Sequence, residues 1–89
     1  MATEIMAPGE TRAYSAPTSV ESGTQLAVGL KDAREKARVA IQIEDDDGDY
    51  TDVGVLSAAT PSTVITAAGT YRFVRSPRGY FGHCGVFSA

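Results

Sequence analysis

The residues whose types and spacing could support chemistry are concentrated in one acidic run, EDDDGDYTD at positions 44–52, where six carboxylates surround Gly48. A calcium-binding EF-hand loop needs a glycine at position 6, an anchoring carboxylate at position 1 and a bidentate carboxylate at position 12. With Gly48 at position 6, the two anchor positions fall on Ile43 and Gly54, which carry no carboxylate. The spacing therefore rules out an EF-hand, and we predict no dedicated metal site.

A β-hairpin explains the same acidic run better. Asp47-Gly48 is a favoured turn pair because glycine accepts a positive φ, and apolar alternation flanks the pair on both sides. We expect a hairpin that holds its carboxylates in solvent. A weak cation site is one alternative for this tip, and contact with a basic partner, such as the 31–38 cluster of another copy, is a second.

The second candidate for chemistry is His83, which is followed directly by Cys84. Adjacent residues on a strand point to opposite faces, so these two side chains are badly placed to act as base and nucleophile. A zinc site needs more His and Cys ligands than the single residue of each type present here, unless several subunits pool His83 around a symmetry axis. We therefore predict a non-enzymatic protein with no catalytic residues and no cofactor, in which His83 is partly buried and Cys84 packs in the core.

The third candidate is RFVRSPRGYFG at 72–82, where three arginines alternate with aromatic residues. This composition suits single-stranded nucleic acid, but it equally suits protein docking, in which Arg and Tyr are enriched. The net charge of -3 makes nucleic acid the weaker option. An ordinary solvated surface is the plain alternative. The predicted protein-interface residues are Arg12, Tyr14, Arg72, Arg75, Arg78, Tyr80 and Phe81.

Short strands must position these candidates. A chain of 89 residues makes one domain, and RVAIQIE at 38–44 alternates strictly between apolar and polar side chains. The sequence predicts further strands at 25–30, 50–56, 62–66, 70–74 and 79–89, separated by short turns. This spacing predicts an all-β fold, a small antiparallel β-sandwich of the immunoglobulin-like or jelly-roll-like kind with about six or seven strands. The charged segment 31–38 is expected to connect two strands, with at most one helical turn.

The first 23 residues differ in character from the rest. Pro8, Gly9, Pro17 and Gly23 interrupt them, and they show little periodicity. We predict an extended N-terminal arm over 1–23, with one short strand near Thr11–Ser15 and a neighbouring subunit as its preferred contact, followed by a β-sandwich domain over 24–89. No signal peptide or membrane span is recognisable, so we expect synthesis in a reducing cytoplasm.

With the strands placed, VAIQIEDDDGDYTDVGVL and ATPSTVITAAGTYRFVRSPRGYFGHCGVFSA together resemble small β-sandwich structural proteins of tailed bacteriophages. The resemblance covers residues 38–89 and is one of pattern. It consists of a strand, an acidic turn, a second strand, the segment Thr60-Pro61-Ser62 to Gly69-Thr70-Tyr71-Arg72, and a glycine-rich last strand.

The resemblance implies a virion protein made in the host cytoplasm, namely a capsid decoration (cement) protein or another small head or tail subunit. Its implied partners are copies of itself, often as a trimer, and the major capsid protein or another virion protein. It implies no membrane partner. A small carbohydrate- or ligand-binding module is the main rival, with Tyr50, Tyr71 and Tyr80 as its candidate aromatic platform. A small enzyme and a nucleic-acid binder are weaker rivals.

Overall fold

Two antiparallel sheets pack face to face in the computed structural model, which describes residues 3–76 and 79–89. Sheet A has the strand order β1-β9-β4-β7, and sheet B has the order β2-β8-β5-β6, with β3 also paired to β8. The nine strands are β1 (Thr3–Gly9), β2 (Ala13–Tyr14), β3 (Thr18–Val20), β4 (Leu26–Lys31), β5 (Arg38–Glu44), β6 (Tyr50–Ser57), β7 (Ser62–Ile65), β8 (Gly69–Arg75) and β9 (Cys84–Ser88). The predicted all-β sandwich is confirmed.

The core lies between the sheets and follows from the alternation of side chains along the strands. In β5, Val39 and Ile41 are buried, whereas Glu44 on the opposite face is exposed. Phe73 of β8 and Val86 of β9, at the centres of the two sheets, are fully buried. The buried apolar side chains of these strands thus lie on the face that meets the other sheet.

The acidic run forms the predicted hairpin between β5 and β6. Gly48 has a φ of 83°, the conformation for which glycine is favoured at this turn position. The Asp45 carboxylate accepts hydrogen bonds from the backbone N–H of Asp47 at 2.8 Å and of Asp49 at 3.0 Å. The turn therefore uses one of its own carboxylates to close the loop, and the remaining acids stay exposed.

The N-terminal segment differs from the sequence prediction. It is extended, but β1 pairs with β9 in sheet A, and β2 and β3 pair with β8 in sheet B. It therefore completes both sheets of its own domain, and it brings the strand count to nine rather than six or seven. Proline disrupts a central strand but is tolerated at a sheet edge, which is where β1 carries Pro8.

Gly85 is the glycine of the last strand that permits this edge pairing. A Cβ atom at Gly85 would lie 2.8 Å from the Met6 carbonyl oxygen and 2.9 Å from the Pro8 nitrogen. The pairing of β1 with β9 is also irregular between Met6 and Gly9. The close backbone approach expected of a strand glycine is therefore present here.

The charged segment between β4 and β5 is an irregular connection. The Arg34 N–H donates to the His83 carbonyl oxygen at 2.9 Å, and the Lys36 N–H donates to the Phe81 carbonyl oxygen at 2.7 Å. The segment is thus held against the short 3-10 helix at Gly79–Gly82 and the residue that follows it. No helix in the described part of the chain is long and apolar enough to cross a membrane.

Candidate docking face

The outward face of sheet B carries an arginine stacked on two tyrosines. The guanidinium carbon of Arg72 lies 4.1 Å from the ring centroid of Tyr50 and 4.9 Å from that of Tyr14. The three residues come from β8, β6 and β2, so the cluster spans the whole sheet from one edge to the other. Cation–π contacts of this geometry fix the plane of a guanidinium. We call Tyr14, Arg72 and Tyr50 the Tyr–Arg stack.

A chain of polar side chains orients the same arginine. The Arg72 Nε–H donates to the Gln42 Oε1 at 2.7 Å, and the Gln42 Nε2 donates to the Asp52 Oδ1 at 2.7 Å. These residues are cross-strand neighbours, since Gln42 pairs with Asp52 on one side and with Arg72 on the other. The arginine is thus held by two rings and one hydrogen bond before any partner arrives.

The Nη groups of Arg72 donate no hydrogen bond to the side chains and backbone that the structure describes, and the side chain is half-buried. A guanidinium presented in this way can donate two hydrogen bonds to a carboxylate or a backbone carbonyl on a partner. Because Arg72 is already fixed in place, little rotamer entropy is lost when it binds.

Apolar side chains border the Tyr–Arg stack on the same face. Val74 of β8 pairs with Tyr14 on one side and with Ala40 on the other, and Ala40 in turn pairs with Val55 of β6. Val74 is only 6% exposed, whereas Tyr14 is 56% exposed. The face therefore combines exposed aromatic area, a central arginine and a short apolar row, the composition of an interface core.

Arg75 follows Val74 of this apolar row directly in sequence, but it lies inside the protein and not on the predicted contact surface. It is 5% exposed, and its guanidinium donates to three backbone carbonyl oxygens. The acceptors are Thr11 at 2.7 Å from Nε, and Ala7 at 2.9 Å and Cys84 at 2.8 Å from Nη1. Arg75 thereby ties the N-terminal segment to β9. Strand alternation explains the difference, because Arg72 and Arg75 are three positions apart and point to opposite faces.

Two other predicted interface residues, Arg12 and Phe81, lie outside the three strands that form the Tyr–Arg stack. Arg12 is exposed in the loop between β1 and β2. Phe81 is 50% exposed in the 3-10 helix, beside the loop that follows β4. Arg78 lies outside the described residues, and so does the side chain of Tyr80. Of the seven predicted interface residues, the structure brings Tyr14 and Arg72 together.

Tyr50, Gln42 and Asp52 were not predicted as interface residues. From the sequence, Tyr50 is assigned only to the aromatic platform of the carbohydrate-binding rival, together with Tyr71 and Tyr80. Tyr71 is buried, and its hydroxyl donates to the Ala67 carbonyl oxygen at 2.8 Å. The polar face of β5 was recognisable from its alternation. Its alignment with Arg72 depends on the pairing of β5 with β8, which are separated in sequence by two strands.

His83 and Cys84 are separated as expected. The His83 Nδ1 lies 3.1 Å from the Asp32 carbonyl oxygen, whereas Cys84 is fully buried in the core. Burial raises the pKa of the Cys84 thiol, and the nearby positive charge of Arg75 opposes that rise. A buried thiol that is kept protonated is a poor nucleophile.

The acidic turn places the carboxylates of Asp45, Asp46 and Asp47 within 4.8 Å of one another, and all three residues are exposed. The hydrogen bonds within the turn already account for the position of Asp45. The turn adjoins the Tyr–Arg stack, because Glu44 and Tyr50 are the pair that closes the β5–β6 ladder. It therefore adds a negatively charged rim to one end of the face.

Comparison with known proteins adds no further guide to this face. No protein-family model, no curated protein and no solved structure matches the chain.

Proposed function

We propose that this chain is a non-enzymatic virion structural protein, a capsid decoration protein of a tailed bacteriophage that attaches to the shell through the outward face of sheet B. The single observation that carries the docking part of the proposal is the fixed arginine of the Tyr–Arg stack. The phage part rests on the resemblance of residues 38–89 to phage β-sandwich proteins. Another head or tail subunit would use the same face.

The composition of the face favours a protein partner. Arginine and tyrosine are over-represented among residues whose truncation weakens protein complexes most, and such residues lie near the centre of an interface. Arg72 occupies the middle of sheet B, with Tyr14 and Tyr50 on either side. A carboxylate or carbonyl of the shell protein would accept hydrogen bonds from the two Nη groups of the guanidinium.

The acidic rim sets the electrostatic requirement for the partner. Asp45, Asp46, Asp47 and Asp49 surround one end of the face, so the complementary shell surface carries basic residues there. Exposed rim charges act mainly on the rate of association and on its salt dependence. Many copies on one particle would add avidity to a modest single contact.

Binding to assembled capsids tests this function. The purified protein is mixed with capsids of the encoding phage that lack it, and the capsids are sedimented. We expect a saturable number of copies to sediment with the capsids. A protein that never sediments with them, but binds sugars on a glycan array, would replace the proposal with the carbohydrate-binding rival. Salt-dependent binding to oligonucleotides alone would replace it with the nucleic-acid rival.

A further inference from the structure

The side of the sandwich opposite to β1 and β2 is formed by two edge strands that do not pair with each other. In the described part of the chain, β6 is the last strand of sheet B and β7 is the last strand of sheet A. Between them lies an open cleft of about 350 Å³ that reaches the core residues Ile41, Ile65 and Tyr71. Core residues thus border a solvent-open cleft along this edge.

Valine side chains are exposed along both strands of this edge. Val53 is 55% exposed, Val55 is 38% exposed and Val64 is 52% exposed. Val64 also borders a second hollow of about 380 Å³ on the outward face of sheet A, where it lies beside Ala27 and Phe87. Val64 therefore borders both the cleft between the sheets and the hollow on sheet A, and about half of its surface is exposed to solvent.

Strand β7 lacks the charges that normally protect a free edge strand. Residues 53–71 form an uncharged run of nineteen positions in a chain that has 8 basic and 11 acidic residues. Soluble proteins discourage strand addition with edge charges and bulges. Among the described edge strands of four or more residues, β1 carries Glu4 and β6 carries Asp52 with a register shift beside it. β7 carries no charge.

We propose that β7 (Ser62–Ile65) pairs antiparallel with β7 of a second copy of this chain, so that two sheets A join into one continuous sheet across a two-fold axis. A second copy is the occupant that the charges favour. Two molecules of net charge -3 repel one another. Residues 53–71 are the longest uncharged segment of the sequence, so a contact between two copies made through this segment brings no like charges together. An antiparallel strand paired with itself is self-complementary, as a two-fold contact requires.

This pairing deepens the proposed function by naming the surface through which copies associate, and it rests on that function only for its biological setting. The β7 edge and the Tyr–Arg stack lie on different sheets. A substitution can therefore abolish self-association without affecting attachment to a shell, or the reverse.

Sedimentation velocity over a range of protein concentrations tests the pairing. We expect a dimer for the unaltered protein. Val64→Lys should raise the dissociation constant of the dimer about 30-fold or more, because it places one positive charge from each copy at the contact between the two strands. The matched control is Ser19→Lys, at an exposed position of β3 on the other side of the sandwich, which should leave the dimer intact. The far-ultraviolet circular dichroism of both variants shows whether they fold.

A cysteine variant keeps the proposal testable if Val64→Lys fails to fold. Val64→Cys is expected to form a disulfide-linked dimer under mild oxidation, whereas Ser19→Cys should stay monomeric on a denaturing gel. The native Cys84 is fully buried and does not compete. A monomer at every concentration, a dimer unaffected by Val64→Lys, or a ring of three or more copies would each overturn the pairing. A dimer that ignores capsids would leave it standing and overturn the proposed function instead.

Discussion

Replacement of Arg75 by methionine is expected to lower the free energy of unfolding by about 3 kcal/mol, the largest effect we predict for a single side chain in this domain. Methionine fills much of the volume but donates no hydrogen bond. The carbonyl oxygens of Ala7, Thr11 and Cys84 would then lose the donor that they have in the native protein, and the oxygen of Cys84 lies in a buried position. Buried acceptors without a partner each cost about 1–3 kcal/mol, and methionine packing offsets part of the loss.

Thermal unfolding measures this effect well in a domain of this size. A loss of about 3 kcal/mol lowers the melting temperature by roughly 15 °C in a domain below about 100 residues. The matched control is Arg12→Met, which removes the same side chain from an exposed loop position and should change the stability by less than about 0.5 kcal/mol. Equal melting temperatures for the two variants would show that Arg75 does not hold the N-terminal segment in place.

The second large effect is expected from Arg72→Ala, which should weaken binding to the capsid by about 100-fold while leaving the fold stable. The alanine removes the guanidinium from between Tyr14 and Tyr50, together with the two Nη groups that would donate to a partner. Arg72→Lys should behave almost like the alanine variant, because an ammonium keeps the charge but cannot reproduce the planar stacking and the paired hydrogen bonds.

Lys36→Ala is the control for the lost charge. Lys36 is exposed in the connection between β4 and β5, away from sheet B's outward face, and its removal changes the net charge by the same amount. We expect capsid binding of this variant within about threefold of the unaltered protein, the range of a rim or distant charge. If Lys36→Ala and Arg72→Ala weaken binding equally, the attraction is one of net charge and the Tyr–Arg stack has no special part in it.

Local patterns in the sequence predicted the middle of the fold well. The alternation of RVAIQIE gives β5 its observed bounds, Arg38–Glu44, and the Asp47-Gly48 pair forms the turn expected of it. Both features depend on interactions between residues that are close in sequence. Among the described strands, β5 and β6 are also the only two that follow each other in sequence and pair with each other.

The parts that the sequence did not predict depend on long-range pairing. β1 has its place because it adds to β9, at the other end of the chain, and its own residues show little periodicity. Arg75 looked like a surface residue because arginine is rarely buried. The N-terminal segment, by pairing beside β9, supplies two of the three carbonyl oxygens that make burial of Arg75 favourable, those of Ala7 and Thr11.

Only some residues of the candidate site were predictable from the sequence, because the site also depends on long-range strand pairing. Tyr14 and Arg72 were expected at an interface from their residue types, and the structure places their side chains in contact. Gln42 and Asp52 join them only because β5 lies between β6 and β8 in sheet B. Neither residue has a local signal that distinguishes it from an ordinary polar position on a strand.

The central claim is that the outward face of sheet B is the surface through which this protein attaches to a virion. Electron microscopy of the assembled particle, at a resolution that separates strands, tests it most directly. We predict that the density of the protein lies with Arg72, Tyr14 and Tyr50 against the shell protein and with an acceptor opposite the guanidinium. Density in which this face points into solvent, or a particle that contains no copy of the protein, would contradict the account.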